Sequence, residues 1–172
     1  VTLQINTSPI IVNNTIKGKI TTGSGLTIIS GNYIEGSIES NGEKDEITGN
    51  VLFGADSGYG IRMGFGVIER NLISNYHDAI KFWLGASPII RNNTLVNNVN
   101  AISVPGYLRS SYSPQMYWNN IYNNSDYSIN LYTDENHPTR NVNATYNWWG
   151  SNAGPEPGSI SENVEYDPWL RF

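Results

Sequence analysis

The tripeptide Asn-x-apolar recurs along this chain with a drifting but orderly period. It stands at Asn14-Thr15-Ile16, Asn32-Tyr33-Ile34, Asn50-Val51-Leu52 and Asn71-Leu72-Ile73, then at Asn93-Thr94-Leu95, Asn119-Asn120-Ile121 and Asn147-Trp148-Trp149. Successive anchors are 18, 18, 21, 22, 26 and 28 residues apart. The surroundings repeat as well: Ser8-Pro9-Ile10-Ile11-Val12-Asn13-Asn14-Thr15-Ile16 returns as Ser87-Pro88-Ile89-Ile90-Arg91-Asn92-Asn93-Thr94-Leu95. Short runs rich in Ile, Val, Tyr, Phe and Trp follow the anchors, at Tyr76 to Trp83, Asn98 to Val104 and Tyr127 to Tyr132, with Gly, Asn and Ser between them. No stretch combines helical periodicity with helix-forming composition.

Short strands on a period of roughly 20 to 28 residues describe a solenoid. A single coil cannot bury its apolar face, but stacked coils can, each strand bonding to its equivalent about 4.8 Å away. An Asn at the same corner of every coil then bonds to the Asn above and below, which satisfies amides that are costly to bury alone. The expected fold is therefore all-β: a right-handed parallel β-helix of about seven coils, one domain over 1–172, with 141–172 as closing coil and C-terminal cap. A β-sandwich with Asn-rich hairpins would not place a fixed anchor in every repeat.

Composition narrows the function. The formal net charge is -5, from 10 basic and 15 acidic residues, which opposes a nucleic-acid footprint. With 24 Asn, 17 Gly and 20 aromatics, the polar surface is made of neutral amides, hydroxyls and phenols. Absence of cysteine excludes a disulfide framework, thiolate metal sites and a cysteine nucleophile. No apolar run has the length of a membrane-spanning helix. The chain opens at Val1 rather than Met, as a mature or excised segment would.

Pro88-Ile89-Ile90-Arg91-Asn92-Asn93-Thr94-Leu95 and Asp78-Ala79-Ile80 resemble the repeats of the right-handed β-helix superfamily with a pectate-lyase-like fold, the NosD-like and CASH-type repeats among them. The end of the chain, Asn143 to Ser151 with Gly154-Pro155 and then Val164 to Leu170, is similar to the closing coil of archaeal and bacterial β-helix surface proteins. That resemblance implies an exported, extracellular or cell-surface location. It leaves function open, since such folds carry lyases, hydrolases, adhesins and surface-layer proteins.

Several groups invite a chemical reading. Asp56, Asp78, Asn100 and Asp126 follow their anchors by six or seven residues. In equal register, Asp56 and Asp78 would be neighbours, at the spacing of a retaining glycosidase pair. With Asp126 they are also the calcium candidates. The competing reading makes all of them turn residues. His77 adjoins Asp78. A lyase base would be Arg62, Lys81 or Arg91. The soft ligands for copper are His77, His137, Met63 and Met116, at no ligand-like spacing. The charged insert Asn41-Gly42-Glu43-Lys44-Asp45-Glu46 reads as a solvated turn. Glycosylation sequons begin at Asn6, Asn13, Asn92, Asn123 and Asn143, a number that chance supplies at this Asn and Ser/Thr content.

Thirteen of the aromatics fall in residues 87–172. Among them Tyr112, Tyr117, Tyr122, Tyr127 and Tyr132 are candidates for a glycan-binding strip, with apolar ring faces on phenols and hydroxyls on amides. Two functions follow. The first is a non-enzymatic extracellular module, structural, adhesive or glycan-binding, without a resident cofactor. The second is a carbohydrate-active enzyme, a polysaccharide lyase or glycoside hydrolase. Partners are surface glycans, or copies of the chain itself joined through the N-terminal coil, where the strand-like Val1 to Asn6 leaves an edge open to pairing.

Overall fold

The computed structural model describes residues 2–5, 8–54, 58–83, 85–104, 114–132 and 141–172. They form a parallel β-solenoid of about six turns, with no helix among them. In chain order the strands are β1 (Thr2–Ile5), β2 (Ile10–Val12), β3 (Thr15–Thr22), β4 (Ile28–Ser30), β5 (Tyr33–Ser40), β6 (Glu46–Thr48), β7 (Val51–Phe53), β8 (Tyr59–Met63), β9 (Val67–Glu69) and β10 (Leu72–Ser74). They continue as β11 (Asp78–Phe82), β12 (Ile89–Arg91), β13 (Thr94–Val96), β14 (Asn100–Val104), β15 (Gln115–Tyr117), β16 (Asn120–Tyr122), β17 (Ile129–Leu131), β18 (Val142–Asn143) and β19 (Val164–Glu165).

These strands make two parallel sheets. The eight-stranded sheet runs β2-β4-β6-β9-β12-β15-β18-β19. The eleven-stranded sheet is forked: β1, β3 and β5 stack in order, and β5 then pairs with both β7 and β8. One branch continues β7-β10-β13-β16 and the other β8-β11-β14-β17. Three columns of aliphatic side chains, mostly isoleucine, fill the interior. They are Ile11-Ile29-Ile47-Ile68-Ile90-Met116, Ile34-Leu52-Ile73-Leu95-Ile121 and Ile20-Ile38-Ile61-Ile80-Ile102-Ile129, all buried. β-Branched residues suit this site because their stiff χ1 fits the pleat. Burial of each is worth roughly 2–3 kcal/mol.

The anchors form one continuous amide ladder. Asn93 Oδ1 accepts from the backbone N–H of Asn71 at 2.9 Å and from its Nδ2 at 3.0 Å. Asn93 Nδ2 donates to Ile68 O at 2.9 Å, Arg91 O at 3.0 Å and Asn119 Oδ1 at 3.0 Å. The same Oδ1 bonds join Asn14 to Asn32, Asn32 to Asn50, Asn50 to Asn71 and Asn119 to Asn147. Each rung follows a left-handed turn residue, at Asn13, Gly31, Gly49, Arg70, Asn92, Trp118 and Tyr146, with φ from 56° to 65°. The turn aims the next side chain inward and its own outward. Replacing Asn93 by alanine is expected to cost about 1–3 kcal/mol in urea unfolding, because donors on Asn71 lose their acceptor. In a double-mutant cycle, Asn71→Ala and Asn93→Ala should be non-additive, whereas Asn32→Ala and Asn119→Ala should add. Losses under about 0.5 kcal/mol would contradict a buried, bonded ladder.

A second, shorter ladder runs beside it. Tyr76 N–H donates to Asn98 Oδ1 and Asn98 N–H to Asn124 Oδ1, each at 3.1 Å. Its rungs also follow left-handed residues, Asn75, Asn97 and Asn123.

Candidate functional site

The fork in the larger sheet creates the most distinctive concavity among the described residues. β3 and β5 are continuous strands that bend at Gly18 and Gly36, whose backbones approach so closely that a Cβ on Gly36 would collide with Gly18 O. One coil on, Phe53 pairs with Glu35 and Ile61 with Ile38. Three residue steps in β5 thus become eight between β7 and β8. One further coil on, the interval between Ser74 and Ile80 falls to six. The two branches therefore part just above β5, which pairs with both β7 and β8.

Tyr76 fills the space beneath. It is buried, and its hydroxyl donates to Gly36 O. A Cβ on Gly54 would meet its ring at 2.5 Å, and one on Gly60 at 3.1 Å. Burial raises the Tyr76 pKa above the ordinary phenol value, so it remains a neutral floor. Above it lies a groove of about 560 Å³ walled by Tyr33, Phe53 and Tyr59, with Glu35 and Ser37 at the side. Tyr33 is 41% exposed and Phe53 46%, so both rings present free faces.

The charges beside the groove are tied to one another. Glu35 pairs with Lys17 at 2.9 Å. Glu39 accepts from Lys19 and from the Tyr59 hydroxyl. Burial alone would raise the Glu39 pKa, but these hydrogen bonds and the charges of Lys19 and Arg62 outweigh it, so the carboxylate stays ionised. Arg62 lies over Trp83 at 3.5 Å from the ring centroid and 5.7 Å from that of Tyr59. Tyr59 is thereby held rigidly as a wall. Glu35 and Glu39 are four residues apart on one strand, about 13 Å if extended, beyond the separation of a glycosidase pair. A site so arranged can stack an apolar ring face and accept hydrogen bonds at its rim.

The aspartate column expected from the sequence is assembled in part: Asp78, Asn100 and Asp126 follow one another in register. Asp78 pairs with Tyr59 on one side and Asn100 on the other. Asp56 lies outside the described residues, three positions before the residue that Asp78 faces. Asp126 donates its N–H to Val99 O, as Asn100 donates to His77 O one coil earlier, so Asp126 stands at the Asn100 position. Counting from the anchors fails at Asp56 because the segment between the branches is longer in that coil, eight steps from Phe53 to Ile61 against six from Ser74 to Ile80. Asp78 itself is buried and bonded to Asn100 Nδ2 at 3.0 Å, Lys81 Nζ at 3.0 Å and Ser103 Oγ, with His77 Nδ1 at 3.4 Å. Burial pushes its pKa up, yet the bonds from Ser103, Asn100 and Lys81 prevail and hold it below the usual value of 3.8. A depressed carboxyl stabilises the fold above its unfolded pKa and loses that contribution as pH falls through the folded one. Asp78→Asn should therefore lower stability at pH 7 and flatten the acid limb of the stability profile below about pH 4. An acid limb identical to the wild type would contradict this.

Other candidates are scattered. Among the lyase bases, Lys81 is engaged by Asp78, Arg91 by Glu69 at 2.8 Å, and Arg62 by Trp83. Met63 and Met116 are buried in the core, and His137 lies outside the described residues. No group of three or more His, Asp or Glu converges as metal ligands among the described residues. In the insert, Asp45 is fully buried. Its carboxylate accepts from Thr27 N at 2.8 Å, Thr22 Oγ1 at 2.8 Å, Ser40 Oγ at 2.6 Å and Gly42 N at 3.3 Å. The turn is solvated at Asn41, Glu43, Lys44 and Glu46, while Asp45 turns inward and clamps the corner of the first coils.

The tyrosines do not share a face. Tyr117 ends β15 in the smaller sheet, Tyr122 ends β16 in the first branch, and Tyr127 and Tyr132 flank β17 in the second. Tyr112 lies outside the described residues, as does Asn6. Of the remaining sequon asparagines, Asn13, Asn92 and Asn123 are exposed or half-exposed on left-handed turns, while Asn143 Oδ1 accepts from Thr145 N and Oγ1. Sequence reasoning passed over the fork groove; its signal was the cluster Gly54, Gly58 and Gly60 around Tyr59. The sequence matches no protein-family model, no curated protein and no solved structure.

Proposed function

We propose that this chain is a non-enzymatic surface module that binds glycans in the fork groove, built on the right-handed β-helix of the pectate-lyase-like superfamily. The observation that carries the reading is the groove itself: exposed Tyr33 and Phe53 and a pinned Tyr59 around a neutral Tyr76 floor. Pyranose rings offer an apolar C–H face to such walls and hydroxyls to the rim. Glu39 is committed to Lys19 and Tyr59, and Glu35 to Lys17, which favours binding over acid–base turnover.

The test is an immobilised glycan panel run beside reducing-sugar and unsaturated-product assays. The wild type should retain at least one glycan and release no product. A Tyr33→Ala/Phe53→Ala protein should bind that glycan about tenfold or more weakly while remaining folded. Turnover abolished by Asp78→Asn in a folded protein would instead establish the enzyme reading.

A further inference from the structure

Seven turns precede the seven ladder asparagines, and every one places a residue in the left-handed region; the five of these that are not glycine, Asn13, Arg70, Asn92, Trp118 and Tyr146, are exposed. Glycine or asparagine takes this position in four of them, as the conformation favours. In the last two coils it is taken by Trp118, with φ 58°, and Tyr146, with φ 59°. Bulky residues are poorly suited to this backbone, and such departures gather at ligand-contacting sites. Neither ring is recruited to the core: Trp118 is 51% exposed and Tyr146 49%. Their turns are stacked directly, Trp118 N–H donating to Tyr146 O at 2.9 Å. The two residues therefore stand side by side about one coil spacing, ~4.8 Å, apart. Tyr117 braces the ledge, edge-on to Trp118 at 4.9 Å and 89°. The exposed Asn92 occupies the same turn position one coil earlier.

We infer that Trp118 and Tyr146 form a second carbohydrate-contacting ledge, separate from the fork groove. Its ligand is a linear glycan lying along the solenoid axis. The coil spacing is close to the width of one pyranose ring, so adjacent sugars meet adjacent aromatic residues. Asn92 donates its Nδ2 to Glu69 Oε1 at 3.4 Å, and its amide oxygen and the Tyr146 hydroxyl are the polar groups the ledge offers to ring hydroxyls. The ledge is a turn edge rather than a sheet face, so a ligand reaches it without opening any strand pairing. Together, groove and ledge make the module bivalent for one long chain, or a bridge between two.

The ledge has its own reporter. The protein has five tryptophans, and the indole N–H signal of Trp118 is identified by its loss in Trp118→Asn. Asparagine already serves this turn position at Asn13 and Asn92, so the variant should melt within a few degrees of the wild type. The probes are hexasaccharides of β-linked glucose, β-linked N-acetylglucosamine and α-linked mannose. At least one should shift the Trp118 indole signal saturably, and should do so equally in the Tyr33→Ala/Phe53→Ala protein. Trp118→Asn and Tyr146→Asn should each weaken that binding about tenfold. A Trp118 signal unmoved by all three probes at millimolar concentration, or an affinity unchanged in both variants, would overturn the ledge. Loss of the shift in the groove variant would overturn its independence. Glycan binding abolished by the groove variant alone would leave the groove standing without it.

Discussion

Tyr76→Ala is expected to lower the unfolding free energy by about 4 kcal/mol and to abolish binding in the groove. The energetic part follows from removing a large buried ring whose surroundings relax poorly. Gly54 and Gly60 lie against the ring so closely that a Cβ on either would meet it. The functional part follows from position, since Tyr76 is the surface on which the groove rests. Tyr76→Phe separates the two. It keeps the ring and loses the hydrogen bond to Gly36 O, so it should cost about 1 kcal/mol and leave glycan affinity nearly intact. Urea unfolding of both variants, with affinity measured on each, provides the check. Equal affinity losses in Tyr76→Phe and Tyr76→Ala would show that the hydroxyl, not the ring, matters to the ligand.

Asp45→Ala should be comparably severe, at about 4 kcal/mol. The carboxylate is fully buried and receives two backbone N–H groups and two hydroxyls. Truncation leaves those donors unpaired, and bonds to a charged acceptor are worth more than neutral ones. The effect extends beyond the turn, because Thr22 ends β3 and Ser40 ends β5. Both strands support the fork. Asp45→Asn keeps the volume and lets the hydroxyls reverse, so about half the loss should return. Thermal and urea unfolding would register both. A loss below about 1 kcal/mol in Asp45→Ala would mean that water replaces the carboxylate without difficulty.

The parts of the structure legible in the sequence are those that must repeat. A buried amide column requires the same residue in every coil, so Asn14 to Asn147 could be read directly and the solenoid with it. The sequence suggested about seven coils, and the described strands make about six turns. The second ladder was harder to see because it has two asparagine rungs, Asn98 and Asn124, with Tyr76 in the third place. The groove was hidden for the opposite reason: it exists where the repeat is broken. Counting from Asn50 and Asn71 put Asp56 beside Asp78, but the insertion between Phe53 and Ile61 brings Tyr59 there instead. Asp45 looked like part of a charged surface turn, since a sequence does not show that Thr22, 23 residues away, and Thr27 and Ser40 converge on it. Trp118 and Tyr146 looked like ordinary members of an aromatic-rich end until their backbone angles set them apart.

Crystals grown with the best-bound oligosaccharide would test the central claim most directly. The claim predicts a pyranose ring lying against Tyr33 or Phe53 above Tyr76, with every glycosidic bond intact. A sugar bound away from both the groove and the ledge, or a cleaved chain with its new end beside Asp78 or Glu39, would contradict it.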